Sequence, residues 1–412
     1  MAVTEQVERQ AARVKHAEWV SWRRSPWVVA GCVLAVYAVW IGAYLLGGHD
    51  IRDFINVGTR FLGQSNVSSA IRVDPTYHYA PDHLGYDGQF VYFIALDPIR
   101  ARYYMDFPAY RYTRILYPAL VRLFSGGQPS LVPYVMLVIN WLAIGVGTLA
   151  LATWLRRRGR SPWLALIYSF SIGIFTAVQA DLNEPLAFAC LAAAIYLFDF
   201  GGLRRALWAG IFFALALLAR ETSAVFAALY GLALLFEGAT QVSWRQRLSA
   251  NWRSAALLLG IAFAPLALYK AFLTLWLGSA GVPEQVRFEV IPFGGIISYW
   301  PWDGHRLIEV DSVLLPALIC LGVIIFALRR GARSVALWAL LANIVLFVVL
   351  IPRLSFTDIF ASGRLSTGVI FAALYCVPLF DSLLHGKRLW LFAATLLWSI
   401  FLPVQMFELL TH

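Results

Sequence analysis

Acidic and basic residues able to act on a phosphate crowd into one stretch of this chain. Between residues 48 and 128 stand Asp50, Asp53, Asp87, Asp106, Arg111 and Arg114. A carboxylate can take the proton from an attacking hydroxyl. An arginine offers planar, two-pronged hydrogen bonding and a fixed positive charge to a phosphate leaving group. The pairing suits a reaction on a lipid phosphate at a membrane surface. Asp87 is the first candidate for the base, with Asp50, Asp53 and Asp106 as rivals. Arg111 and Arg114 lie three apart and share one helical face. Each type has a plainer use: an aspartate at a helix start is often a cap, and interfacial arginines meet lipid headgroups.

The residues around them predict local structure. In GYDGQFVYFIALDP (85–98), Tyr86, Phe90 and Phe93 recur at helical spacing, which predicts a short amphipathic helix from near Asp87. The tyrosines and phenylalanines of this stretch and of 105–124, Tyr110 and Tyr112 among them, suit helices lying along the membrane interface. Two tight turns add charge: VQADLNEPLAF carries Asp181 and Glu184, and LLARETSAVF carries Arg220 and Glu221. Charges in turns between apolar runs are costly unless paired or facing water, so the expectation is either a structural ion pair, Glu184 with Arg220 for example, or a role in a cavity. His49, His78, His83 and His305 are all on the outer side and with nearby aspartates could bind a divalent metal, but they follow no ligand spacing, and solvated loop histidines are the plainer reading. Cys32, Cys190, Cys320 and Cys376 all fall inside apolar runs, as small packing residues do.

The elements that must position these groups are membrane spans. Of 412 residues, 60% are hydrophobic and 14% charged, well on the apolar side of a soluble domain. Eleven apolar segments are legible, at about 27–47, 129–154, 162–178, 185–200, 206–220, 223–238, 254–277, 312–329, 334–352, 366–384 and 389–408. The third to sixth are short, so the count ranges from nine to twelve. The polar tail 1–26 and the length of the first run argue against a cleaved signal peptide. With the N-terminus in the cytoplasm, every short inner connection is basic: Arg156 to Arg160, Arg204 and Arg205, Arg245 to Arg253, Arg329 to Arg333, Lys387 and Arg388. Only Glu5, Glu8, Glu18, Asp199, Glu237 and Asp381 are acidic on that side. The net charge of +10 is therefore a topology signal and not a nucleic-acid footprint. The expectation is an all-α integral protein of the cell membrane, with the 48–128 loop outside and short interfacial helices within it. It divides into the tail 1–26, a module over 27–240, and further spans over 241–412 with an outer loop at 278–311.

The long first outer loop with its aspartate, the NEPLAF turn and the later RETS turn together resemble the GT-C superfamily of membrane glycosyltransferases. YDGQFVYFIA is similar to a motif of glycosylphosphatidylinositol mannosyltransferases, and the DGQF-Y and PAYRY-RILYP stretches resemble uncharacterised bacterial membrane proteins. The likeness covers roughly residues 27–240. It implies transfer of a sugar from a polyprenyl-phosphate donor to a glycan or lipid acceptor outside the membrane. In its terms Asp87 matches the base and Asp50 the acid that other branches keep after the first span. Glu184 matches the second acidic turn, and Arg220 the basic residue after the fifth span. Arg111, Arg114 or Arg220 would hold the donor phosphate. Tyr86, Gln89, Asp106 and Tyr110 join them as substrate contacts, and Trp300 and Trp302 as further surfaces for stacking on a sugar. A metal does not carry over, since members differ in needing one. The competing class is a transporter or flippase for a polyprenyl-linked or anionic lipid, for which Lys270 and Pro265 are the relevant features within a span.

Overall fold

The computed structural model describes residues 25–62, 84–199, 202–236, 243–279, 283–284, 287–356, 359–399 and 402–403. The tail basic residues, His78, His83, Glu237 and the side chain of His305 lie outside the described residues. Among those described every regular element is helical.

The chain enters on α1 (Pro26–Leu46), where a proline in the first turn supplies a helical φ and lacks only an N–H that would be unpaired anyway. The first loop folds into single turns and three short helices, α2 (Gly88–Leu96), α3 (Pro108–Tyr112) and α4 (Leu116–Ser125). Then come α5 (Val132–Arg157), the bent pair α6 (Pro162–Ser169) and α7 (Ile172–Gln179), and α8 (Glu184–Phe198). They are followed by α9 (Gly202–Ala219), α10 (Ala224–Leu235) and the long α11 (Trp244–Leu277). The last third holds α12 (Arg306–Arg329), α13 (Val335–Val349), α14 (Ile359–Leu383) and α15 (Leu389–Ser399).

Five of these, α1, α5, α11, α12 and α14, are long and apolar enough to cross a membrane, and α6–α7 makes a sixth if the bent pair is one span. The chain is thus a helical membrane protein. Each of the eleven apolar segments coincides with a helix, but several of those helices are shorter than a span. The third segment is broken: its halves meet at 55° around Phe170 and Ser171.

One core joins the long helices. α5 packs on α1 and α8, α9 lies between α8 and α11, and α14 packs on α7 and α13. Most of the spanning window of α14 is buried, whereas little of that of α11 is, so α14 is a central helix and α11 a peripheral one. A second apolar cluster belongs to the first loop, with Phe93, Tyr104, Tyr112, Tyr117 and Met136 at its centre.

The interfacial reading of the 85–98 stretch is corrected here. Every residue of α2, from Gly88 to Leu96, is buried. The helix is apolar all round rather than on one stripe, and such a helix is stable only when enclosed. Arg122 closes its C-terminal end by donating to the carbonyls of Ala95 and Leu96 at 2.9 and 2.6 Å. Tyr112 and Tyr117 donate their hydroxyls to the Pro98 and Met136 carbonyls at 2.6 and 2.8 Å, pinning the loop to itself and to α5.

Candidate functional site

The structure gathers charged residues from five separate segments around one cavity of about 480 Å³. Asp87 stands where α2 begins, but its side chain makes no capping hydrogen bond. The carboxylate instead takes Arg111 Nη1 at 2.8 Å on one oxygen and Arg364 Nη1 and Nη2 at 3.4 and 3.3 Å on the other. Desolvation alone would raise the Asp87 carboxyl, but the guanidiniums of Arg111, Arg364 and Arg114 outweigh it. They hold the group well below the usual carboxylate range. Asp87 is therefore ionised at any physiological pH, which a proton acceptor requires.

Arg111 and Arg114 leave α3 and its final turn toward the same cavity. Arg111 also grips Asp106 with two bonds of 2.8 Å and lies over the Phe90 ring at 4.2 Å. Arg114 grips Glu221 with bonds of 2.9 and 2.8 Å and donates to the Tyr110 hydroxyl at 2.5 Å. Arg220 pairs with Glu184, one of the outcomes expected from the two turns, and Arg364 lies 3.5 Å from the same carboxylate. Both members of the Glu184–Arg220 pair are almost fully buried, and the Arg220 Nε–H has no hydrogen-bond partner among the described residues.

Four arginines and four carboxylates thus alternate around the site. They differ in how tightly each acid is held. Asp106 and Glu221 are each clamped by a two-pronged arginine, and Glu184 is 2% exposed. Asp87 is held by one short bond and two long ones, and its side chain keeps 27% of its surface. It is the acid best placed to exchange partners.

Two close backbone approaches set this geometry. A Cβ at Gly88 would run into the Ala180 carbonyl oxygen, so the start of α2 lies directly on the turn between α7 and α8. That turn is anchored by Asp181, fully buried, which accepts from Asn140 Nδ2 at 3.1 Å and lies 3.4 Å from the Tyr117 hydroxyl oxygen. A Cβ at Gly173 would strike the Gly363 carbonyl, so α7 presses against α14 one residue before Arg364.

The cavity lining also includes apolar residues, among them Phe288, Leu346, Phe347, Pro352 and Leu365. A more open groove shares Asp106, Phe107 and Tyr110 with the cavity and continues to Trp276 and Leu277 at the end of α11.

No family, curated protein or solved structure matches this chain. The site therefore has to be read from its own residues.

Of the residues singled out in the sequence, Asp87, Asp106, Tyr86, Tyr110, Arg111, Arg114 and Arg220 line the cavity, and Glu184 lies behind Arg220 and Arg364. Asp50 does not line it. It caps the turn at 51–54, accepting from the Arg52 backbone at 2.8 Å and from Arg52 Nε at 2.7 Å. Those side-chain hydrogen bonds draw its carboxyl below the ordinary value. Gln89 is also elsewhere. Its amide is used structurally, accepting from Gly58 N at 3.1 Å and donating to the Leu84 carbonyl at 2.9 Å. Trp300 and Trp302 form an edge-to-face pair 5.1 Å apart in the 278–311 loop, away from the cavity. His49 stacks on Tyr44 at 4.1 Å. Among the described residues, no three His, Cys, Asp or Glu side chains gather as a metal site.

Arg364 is the participant the sequence reading left out. It lies within α14, 9% exposed, donating Nε to the Phe360 carbonyl at 2.8 Å. The signal was present: an ionisable side chain inside an apolar helix needs a partner or a cavity.

Proposed function

We propose that the chain is a glycosyltransferase that moves a sugar from a polyprenyl-phosphate donor to a hydroxyl acceptor on the extracytoplasmic face of the cell membrane. The observation that carries this reading is the mixed lining of the cavity, four arginines together with apolar side chains such as Phe288, Leu346 and Phe347. That mixture suits an amphiphile with a phosphate head, and the groove toward Trp276 gives its chain a way out beside the peripheral α11.

In the reaction, Asp87 accepts the proton of the acceptor hydroxyl as that oxygen forms its bond to the sugar's anomeric carbon. The bond from that carbon to the phosphate oxygen breaks, and polyprenyl phosphate departs as an anion. Arg111, Arg364, Arg220 and Arg114 meet the charge that develops on it. Attack opposite the leaving group inverts the anomeric centre. When a phosphate takes up Arg111 and Arg364, Asp87 loses the partners that depress its proton affinity and becomes the stronger base. The basic inner connections support a topology of eleven crossings with a cytoplasmic N-terminus, under which this cavity opens outside.

Two experiments test this. The purified protein incubated with a panel of polyprenyl-phosphate sugars should release polyprenyl phosphate. No turnover, combined with movement of such a lipid across vesicles, favours the transporter reading. A Ser130→Cys variant should react with a membrane-impermeant thiol reagent from outside and Ser161→Cys should not, and the reverse pattern overturns the orientation.

A further inference from the structure

A second cavity, of about 280 Å³, borders the first, and Tyr86 is a wall of both. Its chemistry is different. The charged chamber holds all four arginines, whereas the smaller cavity has no basic lining residue and a single acid, Asp53. Its other polar side chains are the amides of Asn56 and Gln179, and its aromatic ones include Trp40, Tyr44 and Tyr86. A phosphate would find no cation here. Neutral polyhydroxyl compounds are bound by the opposite recipe: aromatic faces against C–H surfaces, with carboxylate and amide groups taking hydroxyls.

Trp40, 4% exposed, is a buried aromatic wall of this cavity. The cavity also abuts the base. Ala180, another lining residue, is the one whose carbonyl touches Gly88, and Tyr86 precedes Asp87 in the chain.

We infer that this smaller cavity binds a sugar ring of the acceptor, presenting one hydroxyl past Tyr86 to Asp87 while the donor phosphate occupies the arginine chamber. The inference rests on the transferase reading and adds to it the substrate class: a carbohydrate-bearing acceptor rather than a simple lipid or water. Tyr86 is the partition. Its backbone N–H donates to the Asn56 carbonyl at 2.9 Å, and its ring lies 5.8 Å from that of Phe360, so the wall is held from two sides.

The test uses full-length protein in detergent and a panel of methyl hexosides and pentosides, with binding followed by saturation-transfer NMR. At least one glycoside should bind the wild type. Asp53→Asn and Gln179→Ala should each weaken it about tenfold, the effect of losing one good hydrogen bond to the ligand, while Arg111→Ala leaves it unchanged. Polyprenyl phosphate binding should show the converse pattern. Asp53→Asn keeps an oxygen to accept the Asp50 backbone N–H that Asp53 now holds at 2.8 Å, and Gln179→Ala stands as a second variant should that turn be disturbed. If no glycoside binds, or the two variants bind it as the wild type does, or Arg111→Ala removes it equally, the subsite is wrong. The two levels separate cleanly. Turnover of a polyprenyl-phosphate sugar without glycoside binding overturns this inference alone. Glycoside binding with the expected variant pattern, but no turnover of any donor, supports the subsite and overturns the transferase.

Discussion

Two regions of this molecule bury acidic and basic side chains drawn from distant parts of the chain, and they do so to different ends. At one end, Asp381 near the end of α14 is 5% exposed and held by Arg160 at 3.0 Å and by Arg388 through bonds as short as 2.5 Å. At the other, Asp87, Arg111, Arg114, Glu184, Arg220 and Arg364 use the same chemistry. The two ends are separated by the length of α5, whose 26 residues rise about 1.5 Å each and so span about 39 Å. Around Asp381 the charges close on one another, and none of Asp381, Arg160 and Arg388 lines a cavity described above. Around Asp87 they enclose a chamber and hold one acid loosely. Buried ion pairs alone are weak grounds for function. An unfilled volume among them, with one group free to change partners, is what separates a site from a clamp.

That contrast can be broken most decisively by paired substitutions. Asp87→Asn should cost about 10²–10⁴ in transfer rate, the usual worth of a positioned base, with a smaller loss of thermal stability than Asp381→Asn, because its side chain keeps 27% of its surface against 2% for Asp381. Asp381→Asn should do the opposite, costing about 3–5 kcal/mol of stability as a broken buried pair does, while the folded fraction keeps its specific activity. Thermal unfolding and a rate assay on the same preparations read both. Equal behaviour of the two variants would remove the distinction.

A smaller loss follows from Gly88→Ala. The new Cβ must push α2 off the Ala180 carbonyl, displacing Asp87. A displacement of that order costs about 10²-fold in a well-aligned site.

Smaller still is a shift in pH dependence. The depressed Asp87 group stays ionised until pH falls far below the usual carboxylate range, and its charge-pair contribution to stability is present above the ordinary carboxylate pKa and lost as pH falls through the depressed one. Arg364→Gln removes one of the guanidiniums responsible, so the Asp87 pKa must rise. The acid limb of the pH–rate profile should therefore move to higher pH. A limb that stays in place or moves lower contradicts the assignment of Asp87 as base. The least effect belongs to Asp50→Asn. It disturbs a cap worth about 0.5–2 kcal/mol and should leave the transfer rate near wild type.

Much of this was legible in the residues and some was not. The apolar runs located the helices because hydropathy responds directly to the bilayer's thickness. The acidic and basic turns at 181–184 and 220–221 announced a pairing or a cavity role because charge between apolar runs has to be compensated. Asp50 and Asp87 could not be told apart, since both precede helical turns. The distinction lies in side-chain direction: Asp50 folds back as a cap, and Asp87 turns outward to two arginines from other segments. Arg364 was missed because it approaches Asp87 across 277 positions of sequence, and only the α7–α14 contact at Gly173 makes them neighbours. The interfacial assignment of α2 failed for a related reason, as periodicity among aromatics cannot show whether the other face is also covered.

The central claim is that Asp87 acts chemically in an arginine-walled chamber. The most direct measurement is single-turnover release of polyprenyl phosphate from a lipid-linked sugar by wild type and Asp87→Asn, side by side with matched amounts of bound donor. The account predicts that both bind the donor and only the wild type releases polyprenyl phosphate at an appreciable rate. Release by Asp87→Asn at the wild-type rate would contradict it.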